Sequence, residues 1–239
     1  MQTSWNILRV LGLLLLLGGL FAFSNHRNAL RPTAKTIIEF KGSDNLYITE
    51  DAVNKMLIQT FGEPKNNPKE NLDLNAMEKV LEANEMVKDA EVFLTLEGLL
   101  VAQIEQRTPL GRVAGETNFY LDEEGKRMPL SKSHSARVPI ITGKITGKAL
   151  EDVYTIIELV NTDEFYRKNV IGIHIVEEND YQLKFRLNDF VVHLGDVGNL
   201  EQKFSNFKAF YAKAGRDNTL DQFASVSLEF NNQVVCTKI

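Results

Sequence analysis

The spacing of apolar and polar positions changes several times along the 239-residue chain, and each change marks an element. Residues 10–23 do not alternate at all; they are a continuous charge-free run of Val, Leu, Gly, Phe and Ala. Thr36–Phe40 is a short predicted strand. Val53, Met56, Leu57 and Phe61 then recur at helical spacing behind Thr49, an N-cap residue followed by Glu50 and Asp51, where the helix dipole favours acids. Gly62 closes that helix. Asn75 and Glu78 form a capping box for a second helix bearing Met77, Val80 and Leu81. The period next shortens to two. Ala90, Val92, Leu94 and Leu96 alternate with Glu91, Phe93, Thr95 and Glu97, and after Gly98 the alternation resumes through Leu100, Ala102 and Ile104, which predicts an antiparallel hairpin. Strand, helix, helix, strand, strand describes a small α+β unit with one sheet face covered.

The second half repeats the mixture on a larger scale. Residues 118–121 lead through Asp122-Glu-Glu-Gly125 into Lys126-Arg-Met-Pro-Leu, a hairpin with glycine at its turn. Pro139-Ile-Ile-Thr is a short strand, and Leu150, Val153, Tyr154, Ile157 and Val160 trace a helix stripe. Residues 172–176 and 181–186 flank Glu178-Asn-Asp as a hairpin, with Phe190–Leu194 next. Asn199 and Gln202 form another capping box, opening a helix with Leu200, Phe204, Phe207 and Tyr211 on one face and ending at Gly215. The last strand, residues 224–230, turns at Asn231-Asn232 into Gln233-Val-Val-Cys-Thr.

The apolar run changes where everything else must be. Burying it in a bilayer is favourable by about 0.8 kcal/mol per CH2, and a helix satisfies its own backbone groups there. The chain behind it is therefore expected on the far side of a membrane. Fourteen residues cover only about 21 Å of a ~30 Å core, so an anchor recruits Trp5 to Arg9, with Trp5 in the interface and Arg9 snorkelling. The same residues also allow a cleaved signal peptide, because Ala22-Phe23-Ser24 offers small residues for cutting before Asn25. Arg9 stands alone before the run while Arg27, Arg31 and Lys35 follow it, which does not decide between the two. Residues 26–35 are a polar linker containing Pro32. A net charge of −5 leaves no electrostatic footprint for nucleic acid, and the single Cys236 permits no internal disulfide and reads as a small strand hydrophobe.

Catalytic chemistry finds no constellation in these residues. His26, His134, His174 and His193 lie far apart with no helical metal-ligand spacing, and no nucleophile elbow, Ser-x-x-Lys pair or phosphate loop occurs. Ser131-Lys-Ser-His-Ser reads as an exposed loop, and Asp122-Glu-Glu-Gly lacks the alternating oxygens of a calcium loop. The expectation is a binding module that is not an enzyme, with no cofactor, no metal and no small-molecule substrate.

Residues 87–113 resemble the closing strands of a POTRA domain, and Glu105-Gln-Arg-Thr-Pro109 resembles the Glu-Arg-x-Pro landmark of the bacterial cell-division FtsQ/DivIB family. Residues 120–125, 128–131 and 138–143, Leu194-Gly195 before a helix, and residues 226–230 follow in family order. Phe119-Tyr-Leu-Asp and Asn232-Gln-Val-Val are similar to Bacteroidetes-type versions.

The resemblance implies an α+β chain: a cytoplasmic tail at 1–6, an uncleaved transmembrane anchor at 7–25, a linker at 26–35, a POTRA domain at 36–110 and a larger mixed β domain at 111–239. It further implies a single-pass inner-membrane scaffold of the division-site complex, mostly periplasmic, whose β domain binds FtsB/FtsL-like coiled-coil proteins. A strand at a sheet edge presents unpaired backbone groups to which a partner adds a strand. Residues 226–230 are the candidate edge, and Val226, Ser227, Leu228, Glu229, Phe230, Asn232 and Asp196 are the candidate contacts. Val226, Leu228 and Phe230 share one face of that strand and are equally placed to face the core. Asp196 and Glu229 stand where family members carry basic residues, so charge complementarity is reversed or absent here. The alternatives are a secreted envelope hydrolase with its signal removed, or a POTRA-type envelope assembly factor, for which no barrel-forming chain remains.

Overall fold

The computed structural model describes residues 2–29, 35–42, 45–63, 72–230 and 233–239. The chain divides into two compact units, Met1–Gln106 and Arg107–Ile239.

The first unit opens with helix α1, Gln2–Ala29, along which the described side chains from Leu11 to Phe23 are exposed. Among the described residues no helix is long and apolar enough to cross a membrane. Behind it lie β1 (Lys35–Lys41), α2 (Glu50–Phe61), α3 (Leu74–Glu82), β2 (Val87–Leu94) and β3 (Leu99–Gln106). The sheet order is β1-β3-β2, with β1 parallel and β2 antiparallel to the central strand. Val53, Leu57, Met77 and Leu81 of the helices close over Ala90, Val92, Leu100, Ala102 and Ile104, the alternating set that the period of two selects. Thr49 caps α2 through its side chain, which accepts from the Ala52 N–H.

The second helix starts differently from the capping-box expectation. Asp73 is the cap, accepting from the Ala76 N–H at 3.0 Å. Glu78 does not return to the helix start; its Oε1 accepts from the Val92 N–H at 2.8 Å, tying α3 to β2. An Asp two residues upstream displaces Asn75, because a short side chain on an extended residue reaches the first free N–H groups.

The second unit has β4 (Pro109–Val113), β5 (Phe119–Asp122), β6 (Arg127–Met128), β7 (Ile140–Gly143), α4 (Gly147–Thr162), α5 (Glu164–Asn169), β8 (Val170–Glu177), β9 (Asp180–Phe185), β10 (Val191–Gly195), α6 (Leu200–Arg216), β11 (Phe223–Ser227) and β12 (Val235–Lys238). They form one nine-stranded sheet, in the order β12-β11-β10-β9-β8-β7-β4-β5-β6. Two parallel pairs, β7 with β8 and β10 with β11, are each joined through helices, since parallel neighbours need a crossover. Both crossovers step the same way along the sheet between strands of the same direction. The right-handed rule therefore puts α4 and α6 on one face. Their Val153, Ile157, Phe204 and Phe207 pack with Ile141, Ile173, Leu183, Val192 and Val226 of five adjacent strands. The opposite face carries the row Thr142, His174, Gln182, His193, Ser227, each directly beside the next across β7 to β11.

The start and end of α6 also depart from the sequence expectation. Asn199 precedes the helix with φ +53°, makes no capping bond through its side chain, and leaves Gln202 to bond Asn206. A left-handed residue does not direct its side chain at the helix N–H groups as an extended cap does. The helix also runs through Gly215 to Arg216, because Gly215 keeps helical geometry and the chain turns only at Asp217 to Asn218.

Candidate sheet-edge docking site

A strand-adding site is built from backbone, so the edges of the two sheets decide where it lies. The β2 edge is blocked, since its outward Val92 N–H is taken by Glu78 of α3. The β1 edge carries Lys35, Glu39 and Lys41, and charges on an edge discourage pairing. The β6 edge is two residues long. At the far end of the larger sheet, β12 has four residues, one of them charged, and no neighbouring strand on its outer side among the described residues.

This corrects the sequence expectation that residues 226–230 form the edge. β11 ends at Ser227 and is an interior strand: Val226 lies beside Val192 of β10 on one side and Cys236 of β12 on the other. The segment after the turn folds back onto it, and the turn residue Asn232 lies outside the described residues. Val226 and Leu228 are fully buried in the core, as their shared face allowed. Phe230, in contrast, is about half exposed at 49 %.

The direction of the β12 backbone follows from three contacts. The Leu228 N–H donates to the His193 carbonyl, so residues 226 and 228 turn their backbone groups to β10, and Ser225 and Ser227 turn theirs to β12. Ser227 and Ser225 stand opposite Val235 and Thr237, and the Ile239 N–H donates to the Gln222 carbonyl. Residues 235, 237 and 239 thus face inward. The alternation of the ladder leaves the N–H and C=O of Cys236 and Lys238 pointing away from the sheet. Val234 and Cys236 pack partly against the helix-covered core, and burial pushes the Cys236 thiol up.

Asp196 and Glu229 meet beside the end of β10 in a shallow cleft with Asn179, Asp180, Gly195 and Lys203. Lys203 of α6 is nearly buried there and donates to Asp196 Oδ1 and to the carbonyls of Leu194 and Asp196, at 2.8 to 3.0 Å. That ammonium, and then the Gly198 N–H, hold the Asp196 carboxyl below its usual range. Glu229 accepts from the Ser227 hydroxyl at 2.7 Å and lies over Gly195, whose φ of +69° and 2.8 Å clearance to Glu229 Cγ leave no room for a side chain.

Two functional-looking residues of the Glu105-to-Pro109 motif turn out to hold structure. Gln106 is buried, accepts from the Tyr47 and Ile48 N–H groups and donates to the Ile48 carbonyl. Arg107 donates to the fully buried Asp122 at 2.7 Å and to Glu124 at 3.1 Å, and Asp122 also accepts from two N–H groups of its own turn. Burial works against the Arg107 charge, and the bond to Asp122 more than restores it, so its pKa is raised. Of the histidines, His174 bonds Thr142 and His193 bonds Gln182. Among the described residues no group of three or more metal-ligating side chains is found.

A β-α-α-β-β unit followed by a mixed sheet covered on one face and ending in an unprotected strand defines an envelope-type POTRA protein with an interaction domain behind it. The family comparisons agree with that architecture. The POTRA-like domain matches residues 36–105, and the FtsQ/DivIB C-terminal-related domain matches residues 108–237, more than half of the chain. The chain belongs to the FtsQ/DivIB family of cell-division proteins. No curated protein matches it.

Proposed function

We propose that this protein is a non-enzymatic, membrane-anchored scaffold of the division-site complex, and that its outer strand β12 receives a strand from an FtsB/FtsL-like coiled-coil partner. The observation that carries this reading is the contrast between edges: β1, β2 and β6 each have a device that discourages pairing, and β12 has none. A partner strand would pair with Cys236 and Lys238 and cover Val234, while Phe230, Ser227 and Glu229 flank the start of the edge. Asp196 contributes by shaping the loop through Lys203, its charge being already answered there.

The anchor in this reading is α1 with residues 7–25 in the bilayer, which places the remaining chain on the periplasmic side of the inner membrane. Supporting it, α1 continues through Ser24 to Ala29 as one 28-residue helix, about 42 Å long. The Ala22 to Ser24 cleavage sequence therefore sits inside a helix.

The test is capture of co-produced FtsB- and FtsL-like proteins by the membrane-extracted full-length chain. Capture that is lost on closing the β12 edge supports the reading. Capture unaffected by that change moves the interface elsewhere.

A further inference from the structure

The β12 edge is complementary to itself, and we propose that its alternative occupant is the same edge of a second copy, paired antiparallel about a two-fold axis at Cys236. Like the partner reading, this rests on β12 being an open edge, but it needs no other protein.

The register follows from the backbone. Only outward-facing residues exchange hydrogen bonds across a new pair, and Cys236 is the outward residue nearest the middle of Val235–Lys238. Setting Cys236 opposite Cys236 of the partner subunit lets the two exchange both N–H and C=O groups. Val234 then lies opposite Lys238 in each direction, and Val235 opposite Thr237.

No like charges meet. Lys238 is the strand's one charged residue, and the two lysines end up four residues apart along the seam, about 14 Å, beyond the ~8 Å screening length at physiological salt. Shifting the register to bring Lys238 against Lys238 of the partner subunit would place like charges directly opposite, which disfavours that alternative. On the helix side the pairing covers the half-buried Val234 and Cys236, and on the open side the exposed Val235. A few paired residues bury far less than the ~1,200 Å2 of a stable interface, so the pairing is weak, and it is favoured when both copies are confined to one membrane. Because the same backbone groups serve both, self-pairing and partner-strand addition exclude each other. The homotypic pair is a resting form from which the partner must displace a copy.

The native cysteine reports the register. In a hydrogen-bonded antiparallel pair the facing Cα atoms are about 5.5 Å apart, inside the 4.4–6.8 Å window for a disulfide. Residues two positions off the axis face their own copies only diagonally, at about 7–8 Å. The full-length protein, in native membranes at mildly alkaline pH to offset the raised thiol, is treated with diamide, which takes two electrons from two thiols. Three chains are compared: the native one, Cys236→Ser, and Cys236→Ser carrying Thr237→Cys. The expected result is a disulfide dimer from the native chain, several-fold more abundant than from the Thr237→Cys chain, and none from Cys236→Ser. Equal dimer from the Thr237→Cys chain would show random collision or another register and overturn the proposal, as would absence of dimer from the native chain. The partner reading is judged separately by capture. Dimer without capture leaves self-pairing standing and removes the partner strand, and capture without dimer does the reverse.

Discussion

At the scale of single residues, the Glu105-to-Pro109 motif is a pair of clamps. Arg107 is mostly buried and Asp122 wholly so, and removing one member of such a pair leaves an uncompensated charge. Arg107→Ala is expected to cost about 3–5 kcal/mol in urea unfolding of the second unit, with little change in the first. A loss within experimental error would mean that solvent reaches Asp122. Two tyrosines set the alkaline limit. Burial, and then the charge of Asp163, raise the Tyr166 phenol, which donates to the Phe204 carbonyl; burial, and then the bond to Asp152, raise Tyr181. Below about pH 10 both phenols are protonated folded or unfolded, and their contribution is complete. Above it the unfolded chain ionises while the native state resists, so stability must fall as pH rises. Tyr166→Phe should flatten that fall, measured as melting temperature against pH; an unchanged slope would refute the assignment. The motif was visible in the sequence as a landmark, but its physics was not. Gln106 serves backbone 58 and 59 residues away, and nothing local announces that.

At the scale of elements, periodicity located the strands and helices, because each buries one face and the buried set repeats at the element's own period. What periodicity does not carry is which strand lies outermost. Val226 and Leu228 read correctly as apolar alternates, yet the edge belongs to Val235–Lys238, a segment too short and mixed to announce itself. Capping was legible where the residue is extended, at Thr49. It failed at Asn75, which a better-placed Asp73 pre-empts, and at Asn199, which is left-handed. The corrected edge changes the proline experiment. Proline at Ser227 would remove an N–H that faces β12 and damage the sheet, whereas Cys236→Pro removes one that points outward. Cys236→Pro should keep its circular dichroism and lose tenfold or more in partner capture, about 1.4 kcal/mol. Thr237→Pro, which deletes an inward ladder bond, should lower the melting temperature instead. Equal capture by a folded Cys236→Pro chain would exclude strand addition at β12.

At the scale of the whole molecule, the topology explains why a binding edge exists. Two right-handed crossovers place α4 and α6 on the same face and leave the sheet to grow sideways until the chain ends at β12. Each unit owns a separate buried cluster, so residues 107–239 alone are expected to fold with one cooperative transition; a molten fragment would show that the first unit is needed. The front of the chain decides how such an edge is used. A tethered copy meets its partner in two dimensions at high effective concentration, whereas a released one is diluted in the envelope. The weak pairing that a short strand provides is therefore useful only if α1 stays attached. Its exposed run from Leu11 to Phe23 has no protein surface to cover it among the described residues, and its helix continues beyond the point where a peptidase would cut. Intact mass of the protein taken from its native membrane should accordingly include the residues before Asn25, and alkaline carbonate washing should leave it in the membrane pellet. A mature chain beginning at Asn25, recovered in the soluble envelope fraction, would remove the anchor and with it the advantage that makes so small an edge sufficient.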